Sequence, residues 1–338
     1  MSRRTSFTIT SRARGTPQIL RAHLTEPGND AFQFTAYAAI GQLNPGAIFL
    51  EPSRDTIITE LPGIGVQISD WIRNRTVEIT TSGPGEIVRT VPWIFFITRR
   101  SVLRCDNQAF IVGLRLVGDH IILFKPICVE LHLIPPFTSA DGQPILENNT
   151  RLYRFHLQYS YHRFTGASLS EPQPNPESLG DSRIVYVLAQ SAYAGFFYFR
   201  VTIHNPEYVP SGPGARMDID LVGVYEVGLE AELGPCLAWR SWLGPEGKRG
   251  VWTKRPLDAA TNVVVAVSFD QSYSEAVPVE SGDDLQELCE IAPRIKSIGD
   301  IYIAKSRNFL LDPILQCSFS EATGKIVLLM RNNRIMIL

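Results

Sequence analysis

Short segments rich in β-branched and aromatic residues recur along this chain, divided by clusters of Gly, Pro, Asn and Asp, and this rhythm restricts the fold more than any other feature. Strand side chains alternate between two faces, so segments of this length and composition read as strands, and the breakers between them read as turns. The strands expected this way include Thr56 to Glu60, Val66 to Ser69, Thr76 to Thr80, Trp93 to Thr98, Ala109 to Leu114, Val129 to Ile134 and Arg183 to Gln190. The stretch ILQCSFSEATGKIVLLMRNNRIMIL, from Ile314 to Leu338, has apolar residues alternating on each side of Ala322-Thr323-Gly324-Lys325 and again around Asn332-Asn333. It reads as a β meander. One fair helix candidate stands against this pattern, Asp283 to Ile291, with Leu285, Leu288 and Cys289 on one face and acids in its first turn.

Roughly twenty short, closely spaced strands with very little helix predict an all-β fold of antiparallel sheets, β-propeller-like, complete or partial. The chain has 338 residues, 44% hydrophobic and 20% charged, enough to bury a sizeable core. A single domain over 1–338 is expected, because all-β domains often exceed the usual domain size. The proline-bearing segments 139–150, 168–182 and 205–216 read as surface loops, since proline removes a ladder donor. The segment 168–182 is the best boundary if the chain forms two units.

The formal net charge is −2 and the pI about 6.3, so no global basic field draws nucleic acid or an anionic membrane. Charge is uneven: residues 1–25 hold Arg3, Arg4, Arg12, Arg14 and Arg21 without an acid, and 270–290 hold seven acids without Lys or Arg. Such runs usually stay solvated. Cys105, Cys128, Cys236, Cys289 and Cys317 are dispersed with no CxxC pair, which favours buried free thiols in a reducing compartment. The opening MSRRTSFTIT lacks the apolar run of a secretory leader, and no run approaches the length of a membrane helix. An intracellular protein, cytoplasmic or nuclear, is expected.

No known catalytic signature stands out. The six histidines are scattered, with no HExxH and no zinc spacing, and no GxSxG elbow occurs. Gly63-Ile64-Gly65 and Ser211-Gly212-Pro213-Gly214 lack the downstream lysine and helix of a phosphate loop. No cofactor, metal or catalytic residue is therefore expected. Asp218 and Asp220 alternate with Met217, Ile219 and Leu221, so both carboxylates share one strand face. They suit acid–base chemistry on sugars, ligation of a hard cation, or the polar outer face of a half-exposed strand. Trp239, Trp242 and Trp252 lie close together on an expected hairpin beside Lys248, Arg249, Lys254 and Arg255. Such aromatics either pack between sheets or anchor a peptide. The turn Gly244-Pro245-Glu246-Gly247-Lys248-Arg249 should project from the sheet. The candidate protein-interaction residues are thus Trp242, Pro245, Glu246, Lys248, Arg249 and Trp252.

Val66-Gln67-Ile68-Ser69-Asp70-Trp71, a strand closing in Asp-Trp, looks like one blade edge of a WD-type propeller. The run LAWRSWLGPEGKRGVWTKR from Leu237 to Arg255, the segment Gly118 to Phe137, and Cys317-Ser318-Phe319-Ser320-Glu321-Ala322-Thr323-Gly324-Lys325-Ile326 resemble the C-terminal propeller-like region of fungal, basidiomycete-type F-box proteins. The resemblance spans about 66–338. It implies a substrate-receptor role, in which an F-box grips the adaptor of a cullin-type ubiquitin ligase and the propeller-like region presents a target. The F-box itself, a short helical module opened by a Leu-Pro-x-Glu-like turn, has no counterpart before Asp70, where Met1 to Leu50 alternates like strands. The expected function is a non-enzymatic protein-interaction module. The alternatives are a propeller-type carbohydrate-active enzyme or lectin, and a truncated or degenerate family member without activity.

Overall fold

The computed structural model describes residues 6–11, 18–26, 29–39, 48–51, 56–61, 65–70, 75–80, 111–134, 145–147, 151–157, 164–176, 182–191, 195–204, 217–226, 236–256, 261–269, 276–279, 288, 290–295, 297–305, 314–330 and 335–338. These residues are almost entirely strand, and their sheets are antiparallel except where one short strand joins in parallel. Where one domain over 1–338 is expected from sequence, the contacts divide the chain into two compact units. Unit 1 comprises 1–109 and 135–150, and unit 2 comprises 110–134 and 151–338. The segment 168–182 lies inside unit 2. The expected strand Trp93 to Thr98, the loop 205–216, Trp71 and the side chain of Trp239 lie outside the described residues.

Among its described residues, unit 1 holds two sheets. In the first, β1 (Ser6–Ser11), β2 (Gln18–Glu26) and β3 (Asn29–Ala39) form a meander. In the second, β4 (Ile48–Glu51), β5 (Thr56–Leu61), β6 (Gly65–Asp70) and β7 (Arg75–Thr80) follow one another, and β11 (Ile145–Glu147) adds to β7 in parallel. Ile58, Ile68 and Val77 meet across three strands, and all are buried. On the opposite face the cross-strand pair Gln67 and Glu78 is joined by a 3.0 Å hydrogen bond. The alternation read in the sequence is therefore that of a sheet with one apolar and one polar face.

The described residues of unit 2 run through four successive sheets in chain order. The first is β8 (Gly113–Val117), β9 (His120–Phe124), β10 (Cys128–Leu133) and β12 (Arg151–His156). The second is β13 (Phe164–Leu169), β15 (Arg183–Ser191), β16 (Gly195–Ile203) and β17 (Met217–Glu226), with β14 (Gln173–Pro174) and β21 (Val277–Pro278) as short additions. β18 (Cys236–Leu243), β19 (Arg249–Pro256), β20 (Thr261–Ser268) and β22 (Ser297–Lys305) make the third. The last has β23 (Ile314–Phe319), β24 (Ile326–Met330) and β25 (Ile335–Ile337). The first strands of successive sheets lie beside one another, β8 next to β13, β13 next to β18, and β18 next to β23. Meanders stacked face to face with their first strands adjacent are the arrangement of propeller blades. Unit 2 is propeller-like, and its sheets are called blades 1 to 4 below.

A separate apolar layer fills each space between blades. Phe124, Val129 and Phe155 of blade 1 meet Phe197, Phe199 and Val201 of blade 2. Tyr198, Phe196 and Leu188 on the other face of blade 2 meet Trp252, Val265 and Val267 of blade 3. Val251 and Val264 of blade 3 meet Cys317, Ile326 and Leu328 of blade 4. Strands β15, β16 and the described part of β19 are thus buried on both faces, which explains runs such as GFFYFRVTI that do not alternate. Burial of each such aromatic side chain contributes about 1.5–3 kcal/mol.

The face of blade 1 away from blade 2 carries buried charge. Glu130 receives Lys125 Nζ at 2.8 Å and His132 Nε2 at 3.2 Å on one oxygen, and Arg154 Nε lies 3.3 Å from the other. Burial raises the Glu130 pKa, but the His132 hydrogen bond and the Lys125 ammonium outweigh it and hold the carboxyl at about 2. Burial also pushes up the Cys128 and Cys317 thiols, Cys317 to about 12. Both cysteines are buried thiols outside any disulfide, as their dispersed placement predicts.

Two of the expected loops contain ladder. The segment 139–150 includes β11, whose three residues are too few for a periodicity to be read. In 168–182, Ser168 and Leu169 close β13, and Gln173 and Pro174 pair with Ile184 and Arg183 at the edge of blade 2. Edge position is what lets Pro174 join a ladder, because its missing N–H faces no partner strand. Blade 1 starts at Gly113 rather than near Ala109. Of the expected helix, Leu288, Glu290 and Ile291 are described as helical, and the Ala292 N–H donates to the Leu288 carbonyl at 2.9 Å.

Candidate functional site

The β18–β19 hairpin narrows to the pair Leu243 and Gly250, and Gly244 to Arg249 form its tip. Gly247 has φ +78°, the left-handed region open to glycine, and a Cβ there would lie 2.8 Å from the Tyr186 Cβ. A Cβ on Gly244 would lie 2.5 Å from the Glu321 carboxyl carbon. Both glycines are therefore dictated by what the tip packs against, in addition to its own turn.

Neighbouring blades satisfy the backbone of this tip. The Gly244 N–H donates to the Arg249 carbonyl at 2.9 Å, and the Gly247 N–H to the Gly244 carbonyl at 3.0 Å. From blade 4, the Glu321 carboxylate accepts the N–H of Glu246 at 2.6 Å and of Arg249 at 2.7 Å. From blade 2, the Tyr198 hydroxyl donates to the Gly247 carbonyl at 2.7 Å, and the N–H of Glu171 donates to the Pro245 carbonyl at 2.9 Å. Gln173 Nε2 reaches the same Pro245 oxygen at 3.2 Å. The Phe269 N–H donates to the Lys248 carbonyl at 2.8 Å. The backbone is thus held at most of its polar atoms, while the side chains of Pro245, Glu246, Lys248 and Arg249 are exposed. Lys248 Nζ and a Glu246 carboxylate oxygen pair at 3.0 Å in water, a contact that carries little energy.

The two described tryptophans belong to different layers. Trp252 is fully buried and stacks on Phe196, with ring centroids 4.6 Å apart and planes 16° from parallel. Its side chain takes the packing alternative and reaches no surface. Its indole N–H has no hydrogen-bond partner. Trp242 pairs with Val251 on the other face of blade 3, half-buried against the layer shared with blade 4. Of the six residues singled out in the sequence, Pro245, Glu246, Lys248 and Arg249 come together at one exposed tip, and Trp242 enters the same hairpin one residue before Leu243. Sequence reasoning missed Glu321, Tyr198, Tyr186 and Gln173, which hold the tip from distant stretches. Glu321 sits in a Ser-Glu-Ala-Thr-Gly-Lys turn that reads as ordinary solvated loop.

A second concavity lies where β12 of blade 1 approaches β16 and β17 of blade 2. Register places Arg200 opposite Asp220 and Thr202 opposite Asp218, on one face of the sheet. Arg200 Nε donates to Asp220 at 2.8 Å, and His204 Nε2 donates to Asp218 at 2.5 Å. With Tyr153 and Phe155 they line a cleft of about 580 Å³. The shared face of Asp218 and Asp220 matches the reading from alternation. The facing nitrogen donors, Arg200 on β16 and His204 just after its end, follow the same period, but only the register unites them with the two aspartates.

No protein-family model matches the chain, and no curated protein matches it. Among solved structures it is similar to the WD40 domain of SCAP from fission yeast, with 10% identity, a TM-score of 0.41, and 86% of this chain aligned to 48% of that one. The chain therefore spans about half the length of that relative. It is also similar to a protein from Lactobacillus plantarum, with 10% identity, a TM-score of 0.47, and the whole of this chain aligned to 82% of that one. At these values neither match bears on function, and the blade assignment of unit 2 rests on its own strand order and first-strand contacts.

Proposed function

We propose that this protein is a non-enzymatic interaction module that presents the Gly244–Arg249 tip, flanked by Trp242, to a protein partner. The observation that carries this reading is the contrast between a backbone held from two neighbouring blades and exposed Pro, Glu, Lys and Arg side chains. A surface of fixed shape loses little entropy on binding, and its charges can select a partner of complementary pattern. The resemblance of 237–255 and 317–326 to the receptor region of fungal F-box proteins falls on this tip and on the turn carrying Glu321. It supports an intracellular role as a target receptor, with a ubiquitin-ligase adaptor as the further partner.

The test is affinity capture of the tagged full chain from its native cell extract, read by mass spectrometry, beside a Glu246→Ala/Lys248→Ala/Arg249→Ala variant and a Glu321→Ala variant. The expected result is a reproducible partner set that the triple variant retains at least about ten-fold less well, the effect of losing about 1.4 kcal/mol. Glu321→Ala, which removes the acceptor of two tip N–H groups, should weaken the same partners while leaving unrelated background unchanged. Recovery of ligase adaptor and cullin supports the finer reading, and their absence from a tip-dependent set removes it. A partner set indifferent to both variants defeats the proposal.

A further inference from the structure

The cleft between β12 and β17 has no part in the tip described above, and its chemistry points elsewhere. Its volume of about 580 Å³ lies within the range of small-ligand sites, about 300–1,000 Å³. Arg200, Asp218 and Asp220 stand on paired strands, so their spacing is fixed by ladder register rather than by loop conformation, and His204 directly follows the end of β16. Arg200 and Asp220 are largely buried, with side-chain exposures of 19% and 14%, whereas Asp218 at 55% and His204 at 35% stand toward the open side. The cleft thus has a walled end and a wet end.

Charge narrows the ligand class. The Asp220 carboxylate is matched by Arg200, and Asp218 accepts a hydrogen bond from His204. A phosphate or sulfate approaching Arg200 would meet two carboxylates, and a metal cation approaching the carboxylates would meet the guanidinium. An anion finds Arg200 already paired with Asp220, and among the described residues no group of three or more His, Cys, Asp or Glu side chains is placed to hold a metal. What the cleft does offer is donors and acceptors side by side. Arg200 uses Nε on Asp220 and carries two further guanidinium nitrogens, and each carboxylate has lone pairs beyond those its partner takes. A hydroxyl is at once donor and acceptor, so vicinal hydroxyls can bridge a carboxylate and the nitrogen donor paired with it. Tyr153 and Phe155 add aromatic surface beside these groups, their ring centroids 6.3 Å apart. The Tyr153 hydroxyl is pushed up in pKa by burial and then by the Asp218 charge, which places it in the field of the same carboxylate.

We propose that this cleft binds a neutral carbohydrate, with vicinal hydroxyls bridging the Asp220–Arg200 and Asp218–His204 pairs and an apolar sugar face laid against Tyr153. No bond is made or broken, and the assignment is independent of the tip's protein partner. The test uses the purified full chain with cellohexaose, xylohexaose, maltohexaose and mannohexaose, and hexagalacturonate as the anionic comparator. Saturation-transfer NMR identifies binders, and calorimetry measures them. At least one neutral hexasaccharide should bind saturably, and Asp218→Ala and Tyr153→Ala should each weaken it by about ten-fold or more, since hydrogen bonds to charged groups are the strong ones. Asp218→Ala is the safer variant, because its side chain is more than half exposed and its loss leaves the core intact; far-UV circular dichroism checks both. Lys248→Ala, on the hairpin tip and outside the cleft lining, should leave sugar binding unchanged. Absence of saturable binding by all four neutral sugars overturns the assignment. So does binding unaffected by Asp218→Ala, or a preference for hexagalacturonate.

Discussion

Glu130 shows how one buried carboxylate can govern the acid response of a blade. Its pKa is about 2 in the folded chain against an ordinary 4.5, a depression that contributes about 3 kcal/mol. Because the folded value is the lower one, this stability is fully present above pH 4.5 and is lost as pH falls toward 2. Glu130→Gln should destabilise the protein at neutral pH by about 3–5 kcal/mol, since Lys125 stays buried without its counter-charge. The difference between wild type and variant in urea denaturation should shrink between about pH 5 and about pH 2. A gap that stays constant over that range would sink the assignment. None of this was legible in the sequence: Lys125, Glu130 and His132 look like the polar half of alternating strands. Burial of both faces of blade 1 makes them interior, and a single strand's pattern does not report what covers its second face.

At the scale of elements, strand existence was legible wherever apolar side chains had the strand period. β13 escaped because Phe164-Thr165-Gly166-Ala167-Ser168-Leu169 has small residues at its centre, and small residues give no hydrophobic signal. Those residues are small because the first strands of blades 1 and 2 come close together. The Ala167 N–H donates to the Val112 carbonyl at 3.0 Å. A Cβ on Gly113 would stand 2.7 Å from both the Ala167 oxygen and the Leu169 Cδ1. Gly113→Val should therefore force β8 and β13 apart and destabilise unit 2 by about 1–3 kcal/mol or more. A double variant that shortens Leu169 to Ala should restore little, because the Ala167 backbone oxygen remains in the way. Thermal denaturation of the single and double variants checks this, and a wild-type midpoint for Gly113→Val would refute the close approach.

For the molecule as a whole, the all-β character follows from the sequence, whereas the division into two units does not, because 135–150 rejoins a unit from which it is separated in sequence. The candidate tip was legible as a projecting Gly-Pro turn, but what holds it was not, since Glu321 is 75 positions from Glu246. Removal of 314–338 tests that dependence. It withdraws blade 4, uncovers Val251 and Val264, and takes away the Glu321 carboxylate. The full chain should resist trypsin after Lys248 and Arg249 although both side chains are exposed, and the shortened chain should be cut there at least about ten-fold faster, because cleavage requires local opening. Equal cutting of the two would show that the tip holds its own shape. If the tip is shaped from outside, its geometry and its chemistry are separable. Gly244, Gly247 and Glu321 specify the form, and the residues at 245, 246, 248 and 249 can be exchanged without redrawing it, so the hairpin is a ready frame on which new binding specificities could be selected.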